Sequence, residues 1–388
     1  MKTKTGIFFS FLFIISLTFN LKAQKMTFYQ TKWKQIDSLE QKGLPKSGLK
    51  VVEEIYAKAK AENNSQQVIK SFIYNLKYKN QIEENAFERL CKELDSTAQK
   101  ASFPDNAIMQ SMLADMYWQY YSSNRYKFQE RSNTVNFDNN DMQTWTLDYL
   151  VEKVIKAYTS SVSDPERLKK IPITDFKELI IEGNKPKNLR PTLYDFLANK
   201  AIDFFSNTEI SLTKPADNYE IEEAYYFDDT KTFADKEIAS SDFLSLHFHG
   251  ICLIQDLLKF RLSDTKNKDA LIDLDLKRLK FVYRFSVNPK KDELYMQALK
   301  KLEKQYTNIP FSSEITYLKA SLYYSLSNKY NPKNKDTEKY KFYKKKALEI
   351  CETLIKKYPE THASEQAQNL IVRIKNHNLS VETEQVIP

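Results

Sequence analysis

The 388-residue chain holds only 5 glycines, and that scarcity limits its fold more than any motif in it. Tight β-hairpin turns and phosphate-cradling loops need residues at positive φ, where glycine is the unstrained choice. Beyond Gly6 only Gly43, Gly48, Gly183 and Gly250 are available for such turns. The expectation is a set of helices joined by short polar loops. Composition agrees with a folded chain: 41% of residues are hydrophobic and 28% charged, and 24 Tyr and 24 Phe provide aromatic area for large cores. The length suits two subdomains or a repeat array.

Helical periodicity can be read directly along the N-terminal half. Leu49, Val52, Tyr56 and Ala59 fall on one face, followed by a polar break at Glu62-Asn63-Asn64-Ser65. Ile69, Phe72, Ile73 and Leu76 form the next stripe, then Phe87, Leu90, Cys91 and Leu94. After Pro104, suited to a helix start, come Met109, Met112, Leu113, Met116, Tyr117 and Tyr120. These spacings of three and four residues predict amphipathic helices, each burying one stripe against a neighbour in an antiparallel hairpin.

The spacing divides the chain into five stretches. Residues 1–23 read as a signal peptide, with Lys2 and Lys4 ahead of an apolar run from Ile7 to Phe19 and Leu21-Lys22-Ala23 ahead of Gln24. No Cys stands near that point, so a lipid anchor is not expected. The mature chain is expected to be exported: periplasmic, cell-surface or secreted. Residues 24–160 read as an N-terminal helical lobe. Residues 161–241 hold Pro165, Pro172, Pro186, Pro191 and Pro215 and read as irregular loops wrapped over the core, with one helix at 192–205. Residues 242–376 read as a second helical lobe with breaks at Pro289, Pro310 and Pro332. The stretch 377–388 alternates Leu379, Val381 and Thr383 with Ser380, Glu382 and Glu384, the period of a half-buried strand leading toward a further β domain.

No later stretch is long and apolar enough to span a bilayer. Removing residues 1–23 takes Lys2, Lys4 and Lys22 and lowers the net charge from +8 to +5. Spread over the chain, that excess speaks for solubility rather than for a nucleic-acid partner. The run Lys344-Lys345-Lys346 reads as a solvated helix face. In Lys339-Tyr340-Lys341-Phe342-Tyr343-Lys344 the aromatics are spaced for helix packing, with lysine stems covering their flanks. Cys91, Cys252 and Cys351 are an odd set for an exported chain, and Cys91 and Cys351 sit on apolar stripes, so no disulfide framework is expected.

Candidate chemistry is thin. His247, His249 and Cys252 in LHFHGIC could ligate zinc, but two residues on a helix span about 200° and the imidazoles diverge. With Leu244, His247, Phe248 and Ile251 as a helical stripe, the expectation is one partly buried and one surface histidine. Ser47-Gly48-Leu49-Lys50 matches S-x-x-K, but the companion S-D-N and K-T-G are absent. No G-x-G-x-x-G, P-loop or H-E-x-x-H occurs. A carboxylate pair in the middle region is left as the remaining route to a hydrolase. The expectation is a non-catalytic chain with no catalytic, cofactor-binding or metal residues.

Two resemblances add to this. ALEICETLIKKYPETHASEQAQ places Ala347, Ile350, Cys351, Leu354, Ile355 and Tyr358 on one face, breaks at Pro359, and resumes with Ala363, Ala367, Leu370, Ile371 and Ile374. It resembles a tetratricopeptide-type helix pair and implies a right-handed, solenoid-like array with irregular spacing. Three stretches together, Trp33–Tyr74, Leu189–Phe205 and Leu348–Pro359 with LSVETEQVIP, resemble the N-terminal helical region of Bacteroidetes-type bacterial α2-macroglobulin-like proteins. The resemblance implies a helical head before a train of macroglobulin β-sandwich domains, in an endopeptidase inhibitor. Its partners would be those downstream domains, proteases or envelope proteins. The family's Cys-Gly-Glu-Gln thioester has no counterpart at Cys91, Cys252 or Cys351, so no inhibitory residue carries over. The alternative expectation is a standalone tetratricopeptide-like adaptor of the bacterial envelope.

Overall fold

The computed structural model describes residues 27–84, 86–130, 138–180, 187–208, 215 and 217–376. The signal-peptide and C-terminal strand expectations lie outside these residues. Within them the chain is all-α. In order, the helices are α1 (Phe28–Gln41), α2 (Pro45–Ala61), α3 (Ser65–Ile82), α4 (Phe87–Lys100), α5 (Asp105–Ser123), α6 (Arg125–Glu130), α7 (Leu147–Ser161) and α8 (Pro165–Leu168). There follow α9 (Leu193–Phe205), α10 (Thr230–Asp235), α11 (Leu246–Ser263), α12 (Lys268–Phe285), α13 (Lys291–Gln305), α14 (Ser313–Ser327), α15 (Tyr343–Lys357) and α16 (His362–Lys375). No strand occurs among the described residues; extended pairing is limited to isolated bridges at Pro172–Thr192 and Ile221–Ser286. No helix among them is long and apolar enough to cross a membrane.

The helix ends follow local chemistry. Thr27 and Gln30 form a reciprocal capping box at the start of α1. At its end Gly43 adopts φ 65°, and its N–H and that of Leu44 reach back to the carbonyls of Glu40 and Leu39. That is the Schellman arrangement, and it needs the left-handed backbone that glycine permits. The polar break after α2 works the same way with Asn63 at φ 50°, after which Asn64 caps α3 by accepting from the Gln67 N–H. Thr146, Ser245, Asn267 and Thr361 cap α7, α11, α12 and α16.

Consecutive helices pack as hairpins: α2 on α3, α4 on α5, α5 on α7, α14 on α15, and α15 on α16. The stripes are those read from the spacing, with local shifts. In α2 the buried set is Val51, Val52, Ile55 and Ala59, while Leu49 and Tyr56 are half-buried. In α3 Ile69, Phe72 and Leu76 are buried, but Ile73 stays 38% exposed. In the last hairpin Ala347, Cys351, Leu354, Ala363, Ala367 and Leu370 are buried, and all but Ala347 join Ala320 in a small cluster of their own.

One large core runs from Ala59 to Leu326, and the proline-rich middle belongs to it. The predicted helix is present as α9, with all but three of its residues buried. The rest of the middle is more than a wrap. Short helices α8 and α10 and 3-10 turns at Ile173–Phe176 and Ala224–Phe227 press Leu168, Phe176, Tyr226, Phe227 and Phe233 into the same core. Gly250 lets this centre close. A Cβ there would lie 2.7 Å from the Phe281 ring and 3.2 Å from Phe205 Cβ, so α11, α12 and α9 meet at a spacing only glycine allows.

Candidate functional site

The sequence candidates separate in space or face solvent. His247 and His249 share α11 but point to different partners. The His247 ring lies 4.0 Å from that of Phe285, whereas the His249 ring stacks on Phe205 at 5.6 Å with Nε2 2.9 Å from the Phe243 carbonyl. Both rings are half-buried, so the expected split into one partly buried and one surface histidine does not hold. The reason is register: Leu246 and Gly250 lead the buried face, and Leu244 precedes the helix. Among the described residues no group of three or more His, Cys, Asp or Glu could hold a metal ion. Ser47 and Lys50 are both exposed on the first turns of α2.

The three thiols are free, two of them fully buried. Burial pushes Cys91 up to about 12, and Cys252 and Cys351 to about 11, with nearby Glu88, Asp256 and Glu352 acting in the same direction. Such thiols are protonated at neutral pH and are poor nucleophiles.

Two of the buried carboxylates, Asp195 and Asp275, are engaged in ion pairs inside the fold. Asp195, 2% exposed, accepts from the Thr192 N–H at 3.0 Å, the Thr192 hydroxyl at 2.7 Å and Arg261 Nη2 at 3.0 Å. Burial raises its pKa, while Arg261 and Thr192 pull it down. Arg261 also donates to Asp264 at 2.9 Å and lies 4.0 Å from the Phe260 ring. Asp275, 1% exposed, accepts from Arg278 Nε at 2.6 Å and the Thr230 hydroxyl at 2.7 Å. Arg278 then donates to the Tyr226 carbonyl at 2.9 Å and covers the Phe233 ring. This second cluster ties α12 to α10 and to the 224–227 turn. Lys277 of α12 reaches Asn199 Oδ1 at 2.9 Å and Asp203 at 2.6 Å on α9; burial lowers its pKa despite the Asp203 charge. Asp115 joins Lys200 and the Tyr158 hydroxyl, linking α5, α9 and α7.

The concave surfaces include two between long helices. The first, about 150 Å³, lies between α3, α5 and α9 beside the 173–176 turn. Ile69, Ile73, Met112, Phe176 and Phe196 line it, and Ser111 Oγ on its wall has no hydrogen-bond partner. The second, about 390 Å³, lies between α13, α14 and the end of α15. Thr316, Thr353, Leu354 and Tyr358 line it, with Lys300, Lys304 and Lys357 beside them. Glu303 in the same cleft accepts from Thr316 at 2.7 Å and pairs with Lys319 at 2.5 Å. That leaves the three exposed lysines without an acidic partner, and the cleft electropositive. Hairpin periodicity alone did not single out this cleft, because its lysines come from two helices more than fifty residues apart in sequence.

Comparison with protein-family models, with curated proteins and with solved structures gives no match.

Proposed function

We propose that the chain is a non-catalytic, exported helical scaffold that holds other protein domains or chains. The role is that of the helical head in α2-macroglobulin-like endopeptidase inhibitors. The observation that carries the scaffold reading is the use of the buried charges. Asp195 pairs with Arg261 between α9 and α11, and Asp275 and Arg278, both on α12, are engaged by the Thr230 hydroxyl and the Tyr226 carbonyl, so the buried charges hold segments together. The link to macroglobulins rests on the sequence resemblance. Two measurements test it. The purified chain should leave proteases at their uninhibited rate, and strong inhibition by this chain alone would overturn the division of labour. An antibody against this chain should reveal, on a denaturing gel of whole cells, a band several-fold above 45.7 kDa.

A second reading is favoured by one specific observation, the lysine-lined cleft between α13, α14 and α15. It suits an extended segment carrying carboxylates, as an adaptor's partner would supply. A cellular band at or below 45.7 kDa would put this reading first.

A further inference from the structure

The positive charge of the chain is not spread evenly. Residues 329–346, KYNPKNKDTEKYKFYKKK, contain eight lysines against Asp336 and Glu338, a local excess of +6 in a chain of net +8. All eight lysines are exposed. Lys329 pairs with Asp292, Lys341 with Glu338 and Lys345 with Glu349, but Lys333, Lys335, Lys339, Lys344 and Lys346 have no acidic partner.

Sequence spacing had assigned the aromatics of this stretch to helix packing, and that holds only for two of them. Tyr340 and Tyr343 pack against the main core at its edge, with their rings 5.3 Å apart. Phe342 does not pack. It occupies the N-cap position of α15, directly after the 3-10 helix Lys335–Tyr340, and its side chain is 62% exposed. An exposed aromatic at the corner between two helical segments is therefore surrounded by cations. The arrangement is also unfavourable for α15 itself. Lys344, Lys345 and Lys346 fill its first turn, where the helix dipole disfavours positive charge, and that turn holds no acidic residue.

We propose that this corner docks on the anionic face of a phospholipid bilayer. Lysines held within a Debye length of such a surface each add attraction, and one exposed aromatic supplies the apolar insertion. A bilayer meets a protruding phenylalanine without needing a matching pocket. A folded acidic partner would need one to gain from Phe342, and a flexible polyanion would gain nothing from it. The proposal stands apart from the scaffold reading and does not depend on it.

The test is sedimentation of the full chain with vesicles of phosphatidylglycerol and phosphatidylcholine, against vesicles of phosphatidylcholine alone. Any affinity of the apolar run Ile7 to Phe19 is common to all variants and is read on phosphatidylcholine alone and subtracted. Binding should require the anionic lipid and weaken with salt. The triple variant K344Q/K345Q/K346Q should bind about 100-fold more weakly, from about fivefold per lysine. Phe342→Ala should lose roughly tenfold or more on the same vesicles. The lysine changes relieve the dipole conflict, so an unfolding midpoint at or above that of the parent separates lost binding from lost fold. Equal binding to both vesicle types, an unchanged triple variant, or anionic-vesicle binding left unchanged by Phe342→Ala would each overturn the bilayer proposal.

Discussion

The centre of the molecule and its C-terminal hairpin handle charge in opposite ways. Around α9, α11 and α12 two ion pairs are buried: Arg261 and Arg278 are each 1% exposed and sit among aromatic rings. Around α13 to α15 the lysines are exposed, and many have no acidic partner. A buried guanidinium without its carboxylate would be intolerable, so the central pairs fix which segments must lie side by side. An exposed lysine without an acidic partner fixes little in the fold and is free to meet something else. The difference sets the centre apart as architecture and the C-terminal region as the surface proposed for contact.

The sharpest way to break this comparison is to remove one central partner. Arg278→Met should lower stability by about 3–5 kcal/mol, because it strands Asp275 in the core and frees the Tyr226 carbonyl. Adding Asp275→Leu should recover part of that loss in denaturant unfolding. A loss within 0.5 kcal/mol for Arg278→Met would mean the pair is not structural.

A smaller effect is expected where the helices approach most closely. Gly250→Ala forces a methyl against Phe281 and Phe205 and should cost about 1–3 kcal/mol. An unchanged unfolding midpoint would show that α11 and α12 leave room for a methyl group between them.

The bridge from Asp292 to Lys329 sits between the two regimes. Burial pushes the Asp292 carboxyl up, but hydrogen bonds from Lys329 and Tyr283 and the charges of Lys329 and Lys291 outweigh it, and the net shift is below the ordinary 3.8. A depressed folded pKa adds stability that is complete above the unfolded value and lost as pH falls through the folded one. Lys329→Met should therefore cost about 0.5–1 kcal/mol at pH 7. The gap from the parent should narrow as pH falls below 3.8. A gap that stays constant with pH would remove the electrostatic explanation.

The smallest effect belongs to the cleft. Replacing Lys300, Lys304 and Lys357 together by Gln should change stability by no more than about 0.5 kcal/mol, since none has an acidic partner. A larger loss in thermal unfolding would make them structural and weaken the adaptor reading.

Much of this fold was legible in the sequence where the signals are local. Gly43, Asn64, Pro104, Pro310 and Pro359 punctuate the helices as their chemistry demands, and the stripes of α3, α4, α15 and α16 follow from spacing. The middle was not legible, because what holds it is not local. Thr230, Asp275, Arg278 and the Tyr226 carbonyl join across about fifty residues of chain. In a linear reading Asp and Arg belong to a solvated face and Tyr225-Tyr226-Phe227 to a loop. Phe342 was misread for a related reason. Its spacing fits a packed stripe, but α15 begins one residue later and leaves it at the corner.

Amide hydrogen exchange across the full chain tests most directly the claim that the centre is one welded unit. The account predicts that Thr230–Asp235 and the 224–227 turn exchange as slowly as α9 and α12, with α15 and α16 opening earlier around their separate small cluster. Rapid exchange through 224–235 while α9 and α12 stay protected would contradict it, and would return the middle of the chain to the role of a linker.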